Sequence, residues 1–189
     1  MDAPPIIKPP AKSLWTRYGC LPLLLCFAGA LALFGYLGFT RIPPQDAKLI
    51  ERFYAHHAAY ERLREMLQVD DRLRSVERSG ITTTNSWDTV SPSQVNFPED
   101  RYHEYVALLK EVGGYWAARR LGEPAGLEIQ IWRWGFAGTA HNISICWDRQ
   151  APTNQVPNLA GHVGRRSPDG RQESAYRLIE GNWYLRTGL

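Results

Sequence analysis

The sequence predicts an α+β protein in which an N-terminal transmembrane helix is followed by two helices packed on an antiparallel sheet of about four or five strands. Three observations lead there. One uncharged run is long enough to cross a bilayer, two stretches carry apolar residues at steps of three and four, and the C-terminal half alternates apolar and polar residues with a period of two. The chain has 189 residues, 44% hydrophobic and 22% charged, which suits one domain plus an appendage and excludes collagen-like and wholly disordered classes.

Tyr18 to Thr40 runs for 23 residues without a charge. As a helix rising about 1.5 Å per residue it would measure about 35 Å, against a hydrocarbon core of about 30 Å. Pro22 falls in the first turn, where its missing N–H needs no partner. Trp15, Tyr18, Tyr36 and Phe39 stand near the two ends as interfacial anchors would. Lys8, Lys12 and Arg17 precede the run while Arg41, Asp46 and Lys48 follow it, so the positive-inside rule places the N-terminus in the cytoplasm. The expected organisation is a cytoplasmic basic tail over residues 1–17, a bacterial inner-membrane span over 18–40, a stiff linker over 41–45 containing Pro43-Pro44, and a periplasmic domain over 46–189. Ala28-Gly29-Ala30 has the form of a signal-peptide cleavage site, but cutting there would leave the apolar run Leu31 to Phe39 as a mature terminus. A lipoprotein reading is weaker, because Cys26 follows Leu25 and Cys20 stands ahead of the apolar run.

Charge separates along the same boundary. Lys8, Lys12, Arg17 and Arg41 against Asp2 account for the whole net charge of +3, and residues 42–189 hold 18 basic and 18 acidic side chains. A neutral body gives no electrostatic case for nucleic-acid binding. Only Cys146 lies beyond the span, so no disulfide within one chain staples the domain, and a buried thiol is the expectation for a cysteine in an apolar strand.

The elements follow in order. Ile50, Phe53, His57, Tyr60, Leu63 and Leu67, broadened by Tyr54 and Met66, form one stripe of an amphipathic helix from Asp46 to Leu73, opposite a mixed-charge face that includes Glu51, Arg62 and Glu65. Val76 and Ile81 to Thr84 suit a short strand, and the polar, turn-rich Asn85 to Asn96 a loop. Pro98 with Glu99 and Asp100 opens a second helix, whose stripe is Tyr102, Tyr105, Val106, Leu109 and Val112 and which Gly113-Gly114 ends. Leu127, Ile129 and Ile131 then alternate with Glu128 and Gln130, and Asn142 to Trp147 returns as the partner of a hairpin. Arg149 to Gly170 is loop-like, and Tyr176 to Arg186 turns at Gly181-Asn182 as a closing hairpin.

That last run, Tyr176-Arg177-Leu178-Ile179-Glu180-Gly181-Asn182-Trp183-Tyr184-Leu185, set after a helix like Phe53 to Leu67, resembles a group of small bacterial envelope proteins that carry a lipoprotein signal or one membrane span ahead of such a domain. The resemblance implies location and fold. It supplies no catalytic residues.

No Gly-x-Ser-x-Gly elbow, P-loop, His-Glu-x-x-His or paired Cys-x-x-Cys occurs in the chain. His57 and Glu61, at i and i+4, are the best metal seed, with a helix-surface hydrogen bond as the commoner meaning of such a pair. Gly161 to Arg166 could form an anion loop through Arg165 and Arg166. Trp132 and Trp134 share one strand face. If Ile129 and Ile131 point to the core, strict alternation sends Arg133 inward and both tryptophans outward as a binding patch, whereas a bulge near Arg133 returns them to the core. The expectation is a non-enzymatic protein without cofactor or metal: a periplasmic protein-binding module using Trp132, Trp134, Arg165 and Arg166, of which an immunity-type protein is one version. An accessory subunit of an envelope complex and a metal-assisted hydrolase using His57 and Glu61 are the alternatives.

Overall fold

The computed structural model describes residues 25–29, 32, 42–120, 126–134, 141–170 and 173–188. The chain divides into two compact units, Met1–Ile42 and Pro43–Leu189. In the first, residues 25–29 are helical, and the rest of the expected span, residue 32 excepted, lies outside the described residues. Among the described residues no helix is long and apolar enough to cross a membrane.

The second unit begins with two helices, α1 (Asp46–Ala55) and α2 (His57–Val69). A single helix from Asp46 to Leu73 was expected from the periodicity, and the chain instead breaks at His56, where φ is −123° and ψ is 24°. The His56 N–H still bonds the Arg52 and Phe53 carbonyls, and its own carbonyl accepts from Ala59 and Tyr60. No proline or glycine marks the break. It changes the direction of the stripe while Leu49, Phe53, Tyr60, Leu63 and Met66 all stay buried. Helix α2 stops at Asp70, whose carboxylate accepts from Arg101 Nε at 3.0 Å and Tyr105 Oη at 2.7 Å on α3 (Glu99–Glu111). Helix α3 has the expected ends, with Pro98 as its N-cap, two acids in its first turn and Gly113 just beyond it at φ +63°.

Seven strands, β1 (Leu73–Glu77), β2 (Gly80–Thr83), β3 (Trp116–Arg119), β4 (Leu127–Trp134), β5 (His141–Trp147), β6 (Ala175–Glu180) and β7 (Trp183–Gly188), form one antiparallel sheet in the order β2-β1-β3-β4-β5-β7-β6. The count corrects the expected four or five. The region of Val76 and Ile81 is a hairpin of two strands, and four-residue β3 is too short to show a period. Both edges are partly covered: Val90 bridges to Ile81 on β2, and Gln155 bridges to Tyr176 on β6.

All three helices lie on one face. Their stripes meet Val76, Ala117, Ile129, Ile145 and Leu185 from five neighbouring strands in a single apolar cluster. At about 1.5–3 kcal/mol for each large side chain removed from water, this layer is the main source of stability. Trp183 joins it, with ring centroids 5.4 Å from Phe53 and 6.0 Å from Tyr60, and its indole N–H donates to Glu61 at 2.8 Å. Leu159 of the 149–170 segment also enters the core, and its backbone N–H donates to buried Asp46, which pairs with Arg177 of β6 at 2.8 Å.

Candidate binding site

Among the described residues no helix lies on the opposite face of the sheet, and strand alternation fixes what that face shows. Pairing places Ser75, Ala118 and Glu128 in one row and Glu77, Trp116, Gln130, Ser144 and Arg186 in another. Apolar residues of β4 face the helices, so the polar residues between them face this side, yet Glu128 and Gln130 are buried rather than solvated. Glu128 accepts from Ser144 Oγ and from Arg186 Nη1, each at 2.7 Å, and Arg186 Nη2 donates to Ser174 Oγ at 3.1 Å. Desolvation works against the Arg186 cation, but the Glu128 charge beside it wins and raises its pKa. Further along, Arg120 Nη1 reaches both Asp148 oxygens at 2.7 Å and its Nη2 donates to Tyr176 Oη at 2.9 Å. These pairs make the floor of the face a largely buried, ion-paired polar layer.

Over this floor lies a cleft of about 690 Å³, bounded by Arg74, Glu77, Thr82, Trp87, Trp116, Arg133, Asn142 and Arg186. Five arginines line it against two glutamates, Glu77 and Glu128. In a domain with balanced charge, that is a local excess of positive charge. A second cleft of the same volume, between Arg120, Asp148 and the 149–154 segment, has its charges tied up in the Arg120–Asp148 pair.

Two of the cleft arginines are aimed by bulges. The pairing of β1 with β2 slips between Leu73 and Ser75, so Arg74 is the extra residue. Its guanidinium carbon sits 3.7 Å from the ring centroid of Trp87, and Nη2 donates to the Thr84 carbonyl at 3.0 Å. Its Nε and Nη1 are buried without a partner, as are Gln130 Oε1 and Asn142 Oδ1 on the same face. Each such group costs about 1–3 kcal/mol, which a ligand supplying the missing bond would recover. The second bulge lies between Gln130 and Trp132. Because Ile131 and Trp132 then both face the helices, Arg133 is delivered to the cleft. Trp87, exposed to 75%, forms an open aromatic wall.

The residues singled out from the sequence stand elsewhere. The bulge places Trp132 half-buried against the core, as the second of the two expected arrangements has it. Trp134 is half-buried and stacked on His141 at 5.7 Å, and the Gly164 backbone packs so closely on that imidazole that a Cβ there would sit 2.7 Å from it. The structure thus brings the Gly161–Arg166 segment to Trp134, but on the helix side. Arg165 and Arg166 are exposed, and Arg165 lies 3.4 Å from Glu173. His57 Nε2 lies 3.8 Å from Glu61 and 3.3 Å from Glu180. Glu61 is already engaged by Trp183 and Arg64. Among the described residues no group of three or more His, Cys, Asp or Glu side chains is arranged to hold a metal ion. Cys146, wholly buried on the polar face, has its thiol pushed well above its usual pKa by burial first and by Glu128 next, which keeps it protonated.

Sequence reasoning missed Arg74, Trp87, Trp116 and Arg133 as one site. The available signal was the conflict at Arg133, an arginine that strict alternation would have driven into the core. No protein family, curated protein or solved structure shows a significant match to this chain.

Proposed function

We propose that residues 46–189 are the periplasmic binding module of a single-pass inner-membrane protein, tethered by a span over residues 18–40, and that the module captures a protein partner on the helix-free face of its sheet. One observation carries the reading: an arginine-rich cleft with unsatisfied donors and an exposed tryptophan lies on a domain whose charge is otherwise balanced and whose other face is closed by helices. Polar floor, aromatic wall and concave shape are the features of a recognition surface. Engagement of both Glu61 oxygens by Trp183 and Arg64 counts against the hydrolase alternative, which needs that carboxylate as a metal ligand. Among binding modules, an immunity-type protein that neutralises an incoming toxin at the membrane matches the small size and the short linker.

The test is site-specific photocrosslinking in intact membranes, with the probe at Thr82 or Ala118 in the cleft and, as a control, at Glu65 on the helix surface. The expected result is one reproducible adduct from the cleft positions alone. Adducts from Glu65 only, or none from the cleft, overturn the assignment. A reporter fused behind residue 189 that is active only in the cytosol overturns the topology.

A further inference from the structure

Resting on that reading, we propose that the cleft takes an acidic, extended segment of the partner, with two separated carboxylates held at Arg74 and Arg133. The argument starts from which charges remain available. Arg186 is neutralised by Glu128 and Arg120 by Asp148, while Arg119 turns toward the Leu67 and Gln68 carbonyls at the end of α2. Arg74 Nε and Nη1 have no hydrogen-bond partner, and Arg133 is exposed and forms no ion pair among the described residues. These two guanidinium groups mark the ends of one cleft.

Spacing narrows the ligand. Ser75 on β1 aligns with Ala118 on β3 and then with Glu128 on β4, and Arg133 lies five residues further along β4. With strands about 4.8 Å apart and residues about 3.3 Å apart, the two arginine backbones are roughly 20 Å from one another. A single phosphate needs several donors converging on one point, and two arginines rooted this far apart, one of them held against the Trp87 ring, are poorly placed to supply them. A continuous polyanion would pass over the Glu77 carboxylate, which lies between the ends and repels it. An extended peptide with acidic residues about six positions apart, and neutral ones between, meets both arginines and sets no negative charge over Glu77. Trp87 and Trp116 add apolar walls for the intervening side chains.

The experiment uses the full chain in detergent micelles and follows the indole N–H resonance of Trp87, assigned by its loss in Trp87→Phe. The probe is a ten-residue Ser/Thr/Gly peptide with glutamate at its second and eighth positions, compared with the same peptide carrying glutamine there, with inorganic phosphate, and with a ten-nucleotide thymidine oligomer. Saturable shifts with the glutamate peptide, at least tenfold weaker shifts with the glutamine peptide, and about fivefold to tenfold weakening in both Arg74→Gln and Arg133→Gln are expected. Arg62→Gln, on the helix surface, should leave the affinity unchanged, and far-UV circular dichroism confirms that each variant is folded. Should Arg74→Gln fail to fold, Arg74→Lys with Arg133→Gln carries the test. Equal binding of the two peptides, no binding, or tighter binding of phosphate or the oligonucleotide overturns the proposal. Crosslinking from Thr82 or Ala118 to a partner segment without acidic residues overturns it too, while leaving the binding module standing.

Discussion

Removing the Glu128 carboxylate tests the claim that the helix-free face is a buried, paired polar layer rather than a solvated surface. Only 9% of the Glu128 side chain and 12% of the Arg186 side chain are exposed, and their ion pair is 2.7 Å long. In Glu128→Ala the guanidinium loses its carboxylate partner while the Ser174 hydroxyl bond remains, and Ser144 loses its acceptor. Breaking one side of a buried pair costs about 3–5 kcal/mol, most of it from the charge left behind. Arg186 borders the cleft, where water can reach it, so the low end applies: about 3 kcal/mol, more than a hundredfold in the folding equilibrium. With a urea slope near 2 kcal/mol per molar, the midpoint of unfolding should fall by about 1.5 M. The measurement is urea titration of the full chain in detergent, followed by far-UV circular dichroism. Glu128→Leu combined with Arg186→Met removes both charges and should lie within about 1 kcal/mol of the parent. A loss below about 1 kcal/mol in Glu128→Ala would mean that water already solvates the pair. A double variant as damaged as the single one would assign the loss to packing instead of to an orphaned charge.

Two further outcomes follow from titratable groups. Burial pushes Glu61 toward a higher pKa, but hydrogen bonds from Trp183 and Arg64 and the nearby Arg64 and His57 charges outweigh it, so the folded value lies below the usual one. Its contribution is therefore complete above the unfolded value of about 4.3 and is lost as the pH falls through the folded value. Glu61→Gln should flatten that part of the acid limb of stability, and an unchanged acid limb would refute the assignment. Cys146 should stay unmodified by N-ethylmaleimide at pH 8 until the chain is unfolded in urea, as peptide mapping by mass spectrometry would show. Alkylation at the rate of a free thiol would contradict its burial.

Much of the fold is legible in the sequence because it rests on periodicity. The stripe from Phe53 to Leu67, the helix after Pro98, the β4–β5 hairpin and the turn at Gly181 each repeat a spacing several times or sit beside a residue with a restricted backbone. Elements without such repetition escape. Strand β3 has four residues, and its WAAR run offers one burial alternation at most. The break at His56 falls at an ordinary helical residue with no proline or glycine beside it, so no local chemistry announces it. Glu128 and Gln130 read as the solvated half of an alternating strand, because a single strand does not reveal that Ser144 and Arg186 stand opposite them.

The site was hidden for a related reason. Its two available arginines are placed by bulges, and a bulge is a change of pairing count between two strands that neither strand encodes alone. Strict alternation on β4 would send Arg133 into the apolar layer, at a cost no folded domain of this size could absorb, and would turn Trp132 out into water. One inserted residue at Ile131 resolves both conflicts together and, by doing so, charges the open face. The whole-domain balance of acids and bases conceals this, because a sum over the chain does not record that Arg74 and Arg133 share one cleft. Net charge gives no case for nucleic-acid binding by the body as a whole, and the placement of Arg74 and Arg133 in one cleft is what motivates the acidic segment proposed as its occupant. A sequence sum reports only the first of these.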